Sequence, residues 1–272
     1  MNYSLILKIF LIVILIYIGL VIFIYSIQRS LLYIPKIDSY DDEQLIINYE
    51  KVNIFNSQGN ALRSIFHKNE KKTNTTLVMF HGNAGPIENR FYKINKLSQF
   101  EQNLLLISWR GYSGNDGDPS EIGLYDDANS AIAWIEDKGI KKEDIILYGE
   151  SLGTGVVSEL ASKNLFKAII LEAPFTSMID AASFHYPYLP VSLMLKDKFQ
   201  SDKKIKDVKS PVFVMHSTKD DIVPFWMGKK IFELSNNPKM SFFVEDNKHL
   251  VTYDKDLMMQ LKIFYKNLDE KI

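Results

Sequence analysis

Cysteine is absent from this chain of 272 residues, and neither acidic nor basic residues dominate it. The lack of cysteine excludes disulfide bonds, cysteine-ligated metal sites and a thiol nucleophile, but it leaves the cellular compartment open. The formal net charge is −1, from 32 basic and 33 acidic residues. Without a dominant basic patch, the charge gives no electrostatic reason to expect nucleic acid as a partner. The length suits one large domain.

Motifs of common cofactor and metal sites are also missing. The glycine-rich stretch 149–155 lacks the lysine of a phosphate-binding loop, and no Gly-x-Gly-x-x-Gly motif follows a predicted strand. Residues 116–118, Asp-Gly-Asp, do not continue with the ligand spacing or the final glutamate of a calcium loop. No pair of histidines has metal-ligand spacing. We therefore predict no metal and no organic cofactor.

An uncharged run of 19 residues, 9–27, lies close to the amino terminus. As a helix this run would be about 29 Å long, enough to cross a hydrocarbon core of about 30 Å. A cleaved signal peptide has a shorter apolar core, about 7–15 residues, and ends at small residues. Because this run is longer and continues into residues 28–30 (Gln-Arg-Ser), we predict a transmembrane anchor over residues 5–28 and a linker over residues 29–46.

The charges beside this run leave the orientation of the anchor open. Lys8 and the amino terminus precede it, whereas Arg29 and Lys36 follow it. The positive charges on the two sides are therefore nearly equal, and the rule that lysine and arginine stay on the cytoplasmic side does not decide the orientation. The sequence predicts a single-pass membrane protein with a lipid bilayer as partner, without assigning the side of the membrane or the oligomeric state.

From about residue 47 the apolar pattern becomes that of alternating strands and helices. Residues 47–67 predict an antiparallel hairpin around a polar, glycine-containing turn. Uninterrupted apolar strands suit a sheet covered on both faces, and their alternation with helices indicates a mostly parallel sheet. We predict an α/β domain over residues 47–272, with residues 178–209 as an insertion that could cap the sheet. Further strands are expected at Thr76–Phe80, Leu104–Trp109, Ile145–Gly149, Ala168–Glu172, Val212–His216 and Ser241–Val244, and helices at Ile87–Gln99, Ser120–Lys138, Leu152–Ser162, Phe225–Ser235 and Tyr253–Asn267.

The pentapeptide 149–153, Gly-Glu-Ser-Leu-Gly, lies between a predicted strand and a predicted helix. A Gly-x-Ser-x-Gly motif in this setting is typical of a nucleophile elbow, which exposes a serine at the top of a buried strand. The turn strains the serine backbone, and side chains two residues to either side would collide, hence Gly149 and Gly153. An ordinary glycine-rich turn also fits the motif alone. The interpretation of Ser151 as a nucleophile therefore depends on its partners.

A serine nucleophile needs a base, and three histidines follow Ser151 in the chain. His249 lies just after the last predicted strand, on a loop expected at the same edge of the sheet as Ser151. We predict His249 as the base. His216 ends a buried strand and is interpreted as a structural histidine, whereas His185 lies in the insertion and could contact substrate.

The orienting acid is expected after the penultimate strand, where Asp220 and Asp221 are adjacent. Asp220 is closer to the strand end and is the predicted acid. Asp221 is interpreted as a helix cap or a surface charge. Glu172, at the end of an earlier strand, is a weaker alternative.

An oxyanion site needs backbone N–H groups rather than particular side chains. Leu152, the residue after the serine, would supply one of them at a helix start. The second is expected from the loop 81–85, His-Gly-Asn-Ala-Gly, which directly follows a strand. Asn83 is the preferred donor and Ala84 the alternative.

Four motifs occur in a fixed order along the chain: residues 81–85, residues 109–113 (Trp-Arg-Gly-Tyr-Ser), residues 149–154, and residues 220–224 (Asp-Asp-Ile-Val-Pro). Together they resemble the motif series of the α/β-hydrolase superfamily, in particular its branch with one amino-terminal membrane segment and a serine-hydrolase domain. The resemblance covers about residues 48–270. It implies the α/β-hydrolase fold, with a mostly parallel eight-strand-type sheet, helices on both faces and a short cap.

The resemblance also implies a triad, which falls on Ser151, Asp220 and His249. Relatives include acyl-protein thioesterases, lipid esterases and proteins classed with serine aminopeptidases. The sequence thus predicts a membrane-anchored serine hydrolase that cleaves ester or thioester bonds of acyl substrates through an acyl-enzyme. Phe184 and Leu189 are candidate substrate-pocket residues, because the insertion carries more apolar side chains than a solvated loop needs.

Two alternatives remain open. A peptidase acting on short peptides would use the same triad and would need an acidic patch for a free amino terminus. A non-catalytic anchored scaffold would be indicated by a missing triad member. The acyl length and the alcohol or thiol partner are not determined by the sequence.

Overall fold

The computed structural model describes residues 3–35, 44–71 and 73–270. Its strands are β1 (Glu50–Phe55), β2 (Ala61–His67), β3 (Thr76–Phe80), β4 (Asn103–Ile107), β5 (Ile145–Glu150), β6 (Ala168–Glu172), β7 (Val212–Ser217) and β8 (Lys239–Val244). Over these residues the eight strands form one sheet in the order β1-β2-β4-β3-β5-β6-β7-β8. The pairs β1–β2 and β2–β4 are antiparallel, and the remaining pairs are parallel. The expected hairpin and mostly parallel sheet are confirmed.

The sheet has helices on both faces, and the described residues also form helices away from it. The helices are α1 (Tyr3–Leu32), α2 (Phe91–Leu97), α3 (Glu121–Glu136), α4 (Leu152–Lys163), α5 (Met178–His185), α6 (Val191–Met194), α7 (Ser201–Lys204), α8 (Phe225–Leu234) and α9 (Lys255–Asp269). Apolar residues of α3, α4 and α8 pack in one core cluster, and those of α2 and α9 pack in a second. Within β3, Val78 and Phe80 belong to the first cluster, whereas Leu77 and Met79 belong to the second. This alternation explains why the central strands are apolar throughout.

Some predicted boundaries differ from the structure for local reasons. The helix expected at 87–99 is a 3₁₀ turn, Ile87–Arg90, followed by α2. Arg90 breaks the α-helix with φ −110° and ψ 1°, and its guanidinium group donates to the carbonyl oxygens of Ala84 and Pro86. The helix expected at 253–267 begins two residues later, because Asp254 caps it by accepting from the backbone N–H of Leu257.

Helix α1 is long and apolar enough to cross a membrane, and its most apolar window is unburied. The helix continues to Leu32, so residues 29–32, expected as the start of the linker, are helical. The continuation is explained by partners in the insertion: Lys196 N donates to Gln28 Oε1 at 2.7 Å, and Arg29 pairs with Asp197 at 2.8 Å. Residues 36–43 of the predicted linker, including Lys36, lie outside the described residues.

The chain after α1 contacts the loop 81–85. Ile34 N donates to the carbonyl oxygen of Asn83 at 2.9 Å, and Gly85 N donates to that of Ile34 at 3.3 Å. Asn83 Nδ2 also donates to the carbonyl oxygen of Leu32 at 3.0 Å. The end of α1 is therefore fixed against the carboxyl edge of the sheet, where β3 leads into this loop.

Candidate active site

Ser151 stands in the sharp turn between β5 and α4. Its backbone has φ +48° and ψ −112°, a conformation that a residue with a Cβ rarely adopts. A Cβ at Gly149 would lie 2.7 Å from the carbonyl oxygen of Gly153, and a Cβ at Gly153 would overlap the carbonyl of Phe80. Both glycines are therefore required by close backbone approach. The strained turn presents the serine hydroxyl at the carboxyl edge of the sheet.

The structure brings Ser151, His249 and Asp220 into one hydrogen-bonded chain. His249 Nε2 lies 2.9 Å from Ser151 Oγ, and His249 Nδ1 lies 2.8 Å from Asp220 Oδ2. An ionised aspartate can only accept hydrogen bonds. Nδ1–H therefore donates to Asp220, and Nε2 is left to accept the serine proton. The hydroxyl, the imidazole and the carboxylate have the mutual geometry required of a nucleophile, a base and an orienting acid.

Asp220 is held by four hydrogen-bond donors. Its Oδ1 accepts from the backbone N–H groups of Ile222 and Val223 at 2.9 Å each. Its Oδ2 lies 3.2 Å from His216 Nε2 in addition to its contact with His249. Burial alone would raise the pKa of the Asp220 carboxyl, but the hydrogen bonds from His216 and His249 hold this pKa well below its usual value. Asp220 therefore stays ionised beside the imidazole.

The other candidate acids and bases lie elsewhere. Asp221 is exposed. Glu172 is buried and accepts from Lys93 Nζ and from the backbone N–H of Val251 rather than from His249. His216 is buried, and its Nε2 lies 2.8 Å from the carbonyl oxygen of Val223. It therefore supports the turn that carries Asp220.

Leu152 and Asn83 both line the cavity next to Ser151. Among the described residues, no acceptor is bonded to either N–H group. The carbonyl oxygen of Asn83 is held in place by Ile34 N and by the hydroxyl of Tyr112, the latter at 2.9 Å. Two backbone N–H groups without an acceptor, in residues that line the cavity, are what an oxyanion site requires.

A cavity of about 230 Å³ extends from Ser151 and is lined mainly by apolar side chains. Its walls come from the carboxyl-terminal part of α1, from α5 and from the segment 186–195. Leu189 and His185 line it, as do Ile24 and Leu31 of α1. The insertion and the amino-terminal helix thus build the cavity jointly, which the sequence analysis did not anticipate for the helix.

Phe184 lies outside this cavity, unlike Leu189. Its side chain is 55% exposed, and it is not among the described residues that line the cavity. The reason is the helical period of α5: Met178, Ala181, Ala182 and His185 share the face towards Ser151, and a residue one position before His185 points elsewhere. The expectation for Phe184 is therefore corrected by the rotation of this short helix.

Two glutamates at strand ends meet two buried cations behind the elbow. Lys93 Nζ donates to Glu150 Oε2 and to Glu172 Oε2 at 2.5 Å each, and Arg90 Nη2 donates to Glu150 Oε1 at 2.6 Å. All four side chains are at most 3% exposed. Burial alone would lower the pKa of Lys93 and raise that of Glu150, but the opposite charges hold Lys93 well above and Glu150 well below its ordinary pKa. Lys93 and Glu150 therefore stay ionised.

This buried cluster connects three segments of the candidate site. Gly82 N donates to Glu150 Oε1 at 3.2 Å, which ties the loop 81–85 to the residue before the serine. Val251 N donates to Glu172 Oε1 at 3.0 Å, which ties the loop of His249 to the end of β6. The cluster was not predicted from the sequence, although a signal for it is present: each glutamate ends an otherwise apolar, buried strand.

A metal site is not formed by the described part of the chain: within residues 3–35, 44–71 and 73–270, no group of three or more histidine, aspartate or glutamate side chains is arranged to hold an ion.

Comparison with known proteins agrees with the sheet. Residues 75–199 match the family model described as alpha/beta hydrolase fold. An uncharacterized protein of Mycobacterium tuberculosis, Rv2307c, is 32% identical over 224 residues, which cover 81% of this chain and 80% of the relative. The chain therefore belongs to the α/β-hydrolase family.

Two further similarities concern proteins with named activities. Lysophosphatidylserine lipase ABHD12 of Danio rerio is 30% identical over 194 residues, which are 64% of this chain and 50% of the relative. The structure of the Pyrococcus furiosus esterase Pf2001 superimposes with a TM-score of 0.70 at 15% identity, covering 87% of this chain and 98% of that one. At this identity the superposition shows the fold alone. The chain is a hydrolase of the α/β fold, with esterases and lipases among the proteins similar to it.

Proposed function

We propose that this protein is a serine hydrolase that cleaves ester or thioester bonds of acyl substrates. The observation that carries the proposal is the hydrogen-bonded chain Ser151–His249–Asp220 at a strained elbow, beside two unbonded backbone N–H groups. Each part supplies one requirement of acyl transfer: a nucleophile, a base, an orienting anion and an oxyanion site.

In the proposed reaction, Ser151 Oγ attacks the acyl carbonyl carbon while its proton passes to His249 Nε2. The carbonyl oxygen becomes an oxyanion that accepts from the N–H groups of Leu152 and Asn83. Asp220, ionised, stabilises the imidazolium. The tetrahedral intermediate then expels the alcohol or thiol, which takes the proton from Nε2, and an ester of Ser151 remains. Water, deprotonated by His249, attacks that ester and releases the carboxylic acid.

The apolar cavity supports an acyl substrate rather than a peptide with a free amino terminus. Such a peptide needs an acidic group near the serine to pair with its ammonium, and none of the described residues that line the cavity is aspartate or glutamate. A hydrocarbon chain needs only apolar walls, which α5 and α1 provide. The scaffold alternative is disfavoured because all three triad residues are present and in contact.

The apolar helix α1 supports a further part of the proposal, that the hydrolase is anchored to a membrane by one span. The helix exposes apolar side chains along most of its length, from Tyr3 to Phe23. A soluble protein would leave this surface in water at a large hydrophobic cost.

The proposed function is tested by kinetics of the full chain in detergent micelles with nitrophenyl esters. Ser151→Ala should abolish turnover and leave thermal stability nearly unchanged, because the hydroxyl contributes little packing. Ser130→Ala is the matched control, since its hydroxyl only caps a carbonyl within α3. Turnover by Ser151→Ala equal to that of Ser130→Ala would refute the assignment, and a loss of stability equal to the loss of activity would indicate a structural serine.

A further inference from the structure

The insertion lies along α1 over a large part of the helix. Tyr17 Oη donates to the carbonyl oxygen of Tyr188 at 2.8 Å, and Gln28 Nε2 donates to that of Met194 at 3.2 Å. The two contacts are eleven positions apart on α1, which is about 16 Å along the helix axis. The segment 184–195, here named the cap segment, therefore runs beside the membrane helix rather than beyond its end.

The uncharged run of the helix sets the depth of this contact. A span needs about 20 residues, and the run covers residues 9–27. If the hydrocarbon core covers this run, Tyr17 lies close to its middle. Placing Tyr17 in water would leave only the uncharged residues between Lys8 and Tyr17, about 12 Å of helix, which is too short to cross.

Charged residues near the end of α1 mark the boundary of the hydrocarbon core. Arg29 pairs with Asp197, and Lys196 Nζ lies 4.3 Å from the ring centre of Tyr25. On the membrane side of these charged residues, residues 183–195 contain no aspartate, glutamate, lysine or arginine. Charged side chains are costly in the hydrocarbon core and acceptable at its surface. Arg29, Lys196 and Asp197 therefore mark where the protein surface passes from lipid to water.

The exposed side chains of the cap segment are suited to lipid. Leu193 is 88% exposed and Tyr188 62% exposed, and Phe184 and Tyr186 are also exposed. Backbone N–H groups in lipid must find partners within the protein. Six N–H groups between residues 186 and 195 donate to nearby carbonyls, and Pro187 and Pro190 have no N–H group.

We propose that the cap segment inserts into the leaflet nearest the hydrolase domain. The acyl-chain region of the bilayer is then the partner of this surface. The substrate class follows from this placement and rests on the proposed hydrolase function: it is an acyl lipid resident in the bilayer. Its chain reaches Ser151 sideways, between Ile24 and Leu31 of α1 and Leu189 and Met194 of the cap segment, all of which line the cavity. The substrate need not leave the membrane to be cleaved.

The absence of cysteine allows a direct test with single spin labels on the full chain in phosphatidylcholine vesicles. Leu193→Cys reports the cap segment, and Ile14→Cys reports the span. Leu165→Cys is the matched control. Like Leu193, Leu165 is an exposed leucine (51%), but it lies in the turn before β6, at the opposite edge of the sheet. Collision rates with oxygen and with a water-soluble nickel complex give the depth of each label.

We expect the labels at 193 and 14 to be reached by oxygen and shielded from nickel, and the label at 165 to be reached by nickel. A label at 193 as accessible to nickel as that at 165 overturns the inference, and so does a label at 14 in water. Fluorophosphonate labelling of Ser151 in the same vesicles tests the proposed function separately. A reactive Ser151 with a water-exposed 193 defeats only this inference, whereas an inert Ser151 with 193 in lipid defeats only the hydrolase.

Discussion

Replacing Lys93 by methionine should be among the most destabilising single changes in this protein. Lys93 is fully buried and bonds both Glu150 and Glu172. Methionine has a similar length but no charge, so the change leaves two buried carboxylates in one pocket with only Arg90 to neutralise them. Removing one partner of a buried ion pair costs about 3–5 kcal/mol. For a domain of this size, 1 kcal/mol shifts the unfolding midpoint by roughly 2–4 °C, so the expected loss is roughly 6–20 °C.

The assay is thermal unfolding of the full chain in detergent micelles, followed by intrinsic fluorescence. Lys71→Met is the matched control: Lys71 pairs with Glu101, but both side chains are largely exposed, and exposed pairs contribute little. Lys93→Met combined with Glu172→Gln should be more stable than the sum of the two single changes predicts, because the double variant no longer buries an unpaired carboxylate. A midpoint for Lys93→Met equal to that of Lys71→Met would refute the reasoning.

Three further predictions concern the acid, the pocket and acidification. Asp220→Asn should lower kcat roughly 10³–10⁴-fold by loss of imidazole orientation, whereas Asp221→Asn should change it little; the reverse order would mean that the acid is wrongly assigned. Leu189→Ser should lower kcat/KM for octanoyl more than for acetyl esters in micelles, with Phe184→Ser as the control outside the cavity; equal ratios in both variants would contradict the pocket. The folded state holds the pKa of Glu150 and Asp220 below their unfolded values of about 4, so their stabilisation is complete above about pH 4 and is lost as the pH falls further. Glu150→Gln should flatten the fall of the unfolding midpoint below that pH, and an unchanged slope would contradict the assignment.

The sheet could be predicted because its strands carry a strong local signal. Residues 76–80 are buried on both faces, so every side chain is apolar or small, and the strand begins and ends as expected. The positions of Ser151, His249 and Asp220 follow from the same logic, since each lies just after a predicted strand and parallel strands end at one edge. The sequence predicts that they meet, and they do; their catalytic roles stay predictions.

The features that could not be predicted depend on contacts between distant residues or on small rotations. Tyr17 and Tyr188 are 171 residues apart in the chain, so nothing local indicates that α1 lies against the insertion. Phe184 was expected in the pocket, but the rotation of α5 about its axis turns Phe184 away from the cavity. A pattern of apolar residues does not define that rotation. Lys93 looks like a surface residue by type, because a buried lysine is explained only by the two carboxylates around it.

The most direct test of the account is the site of covalent reaction. The full chain, treated with a fluorophosphonate and digested, should carry one phosphonate on the peptide that contains Ser151, as measured by mass spectrometry. His249→Ala should suppress the modification, because the hydroxyl is activated only through the imidazole. We expect modification of Ser151 that depends on His249. An unmodified Ser151, or a phosphonate on a different residue, would contradict it.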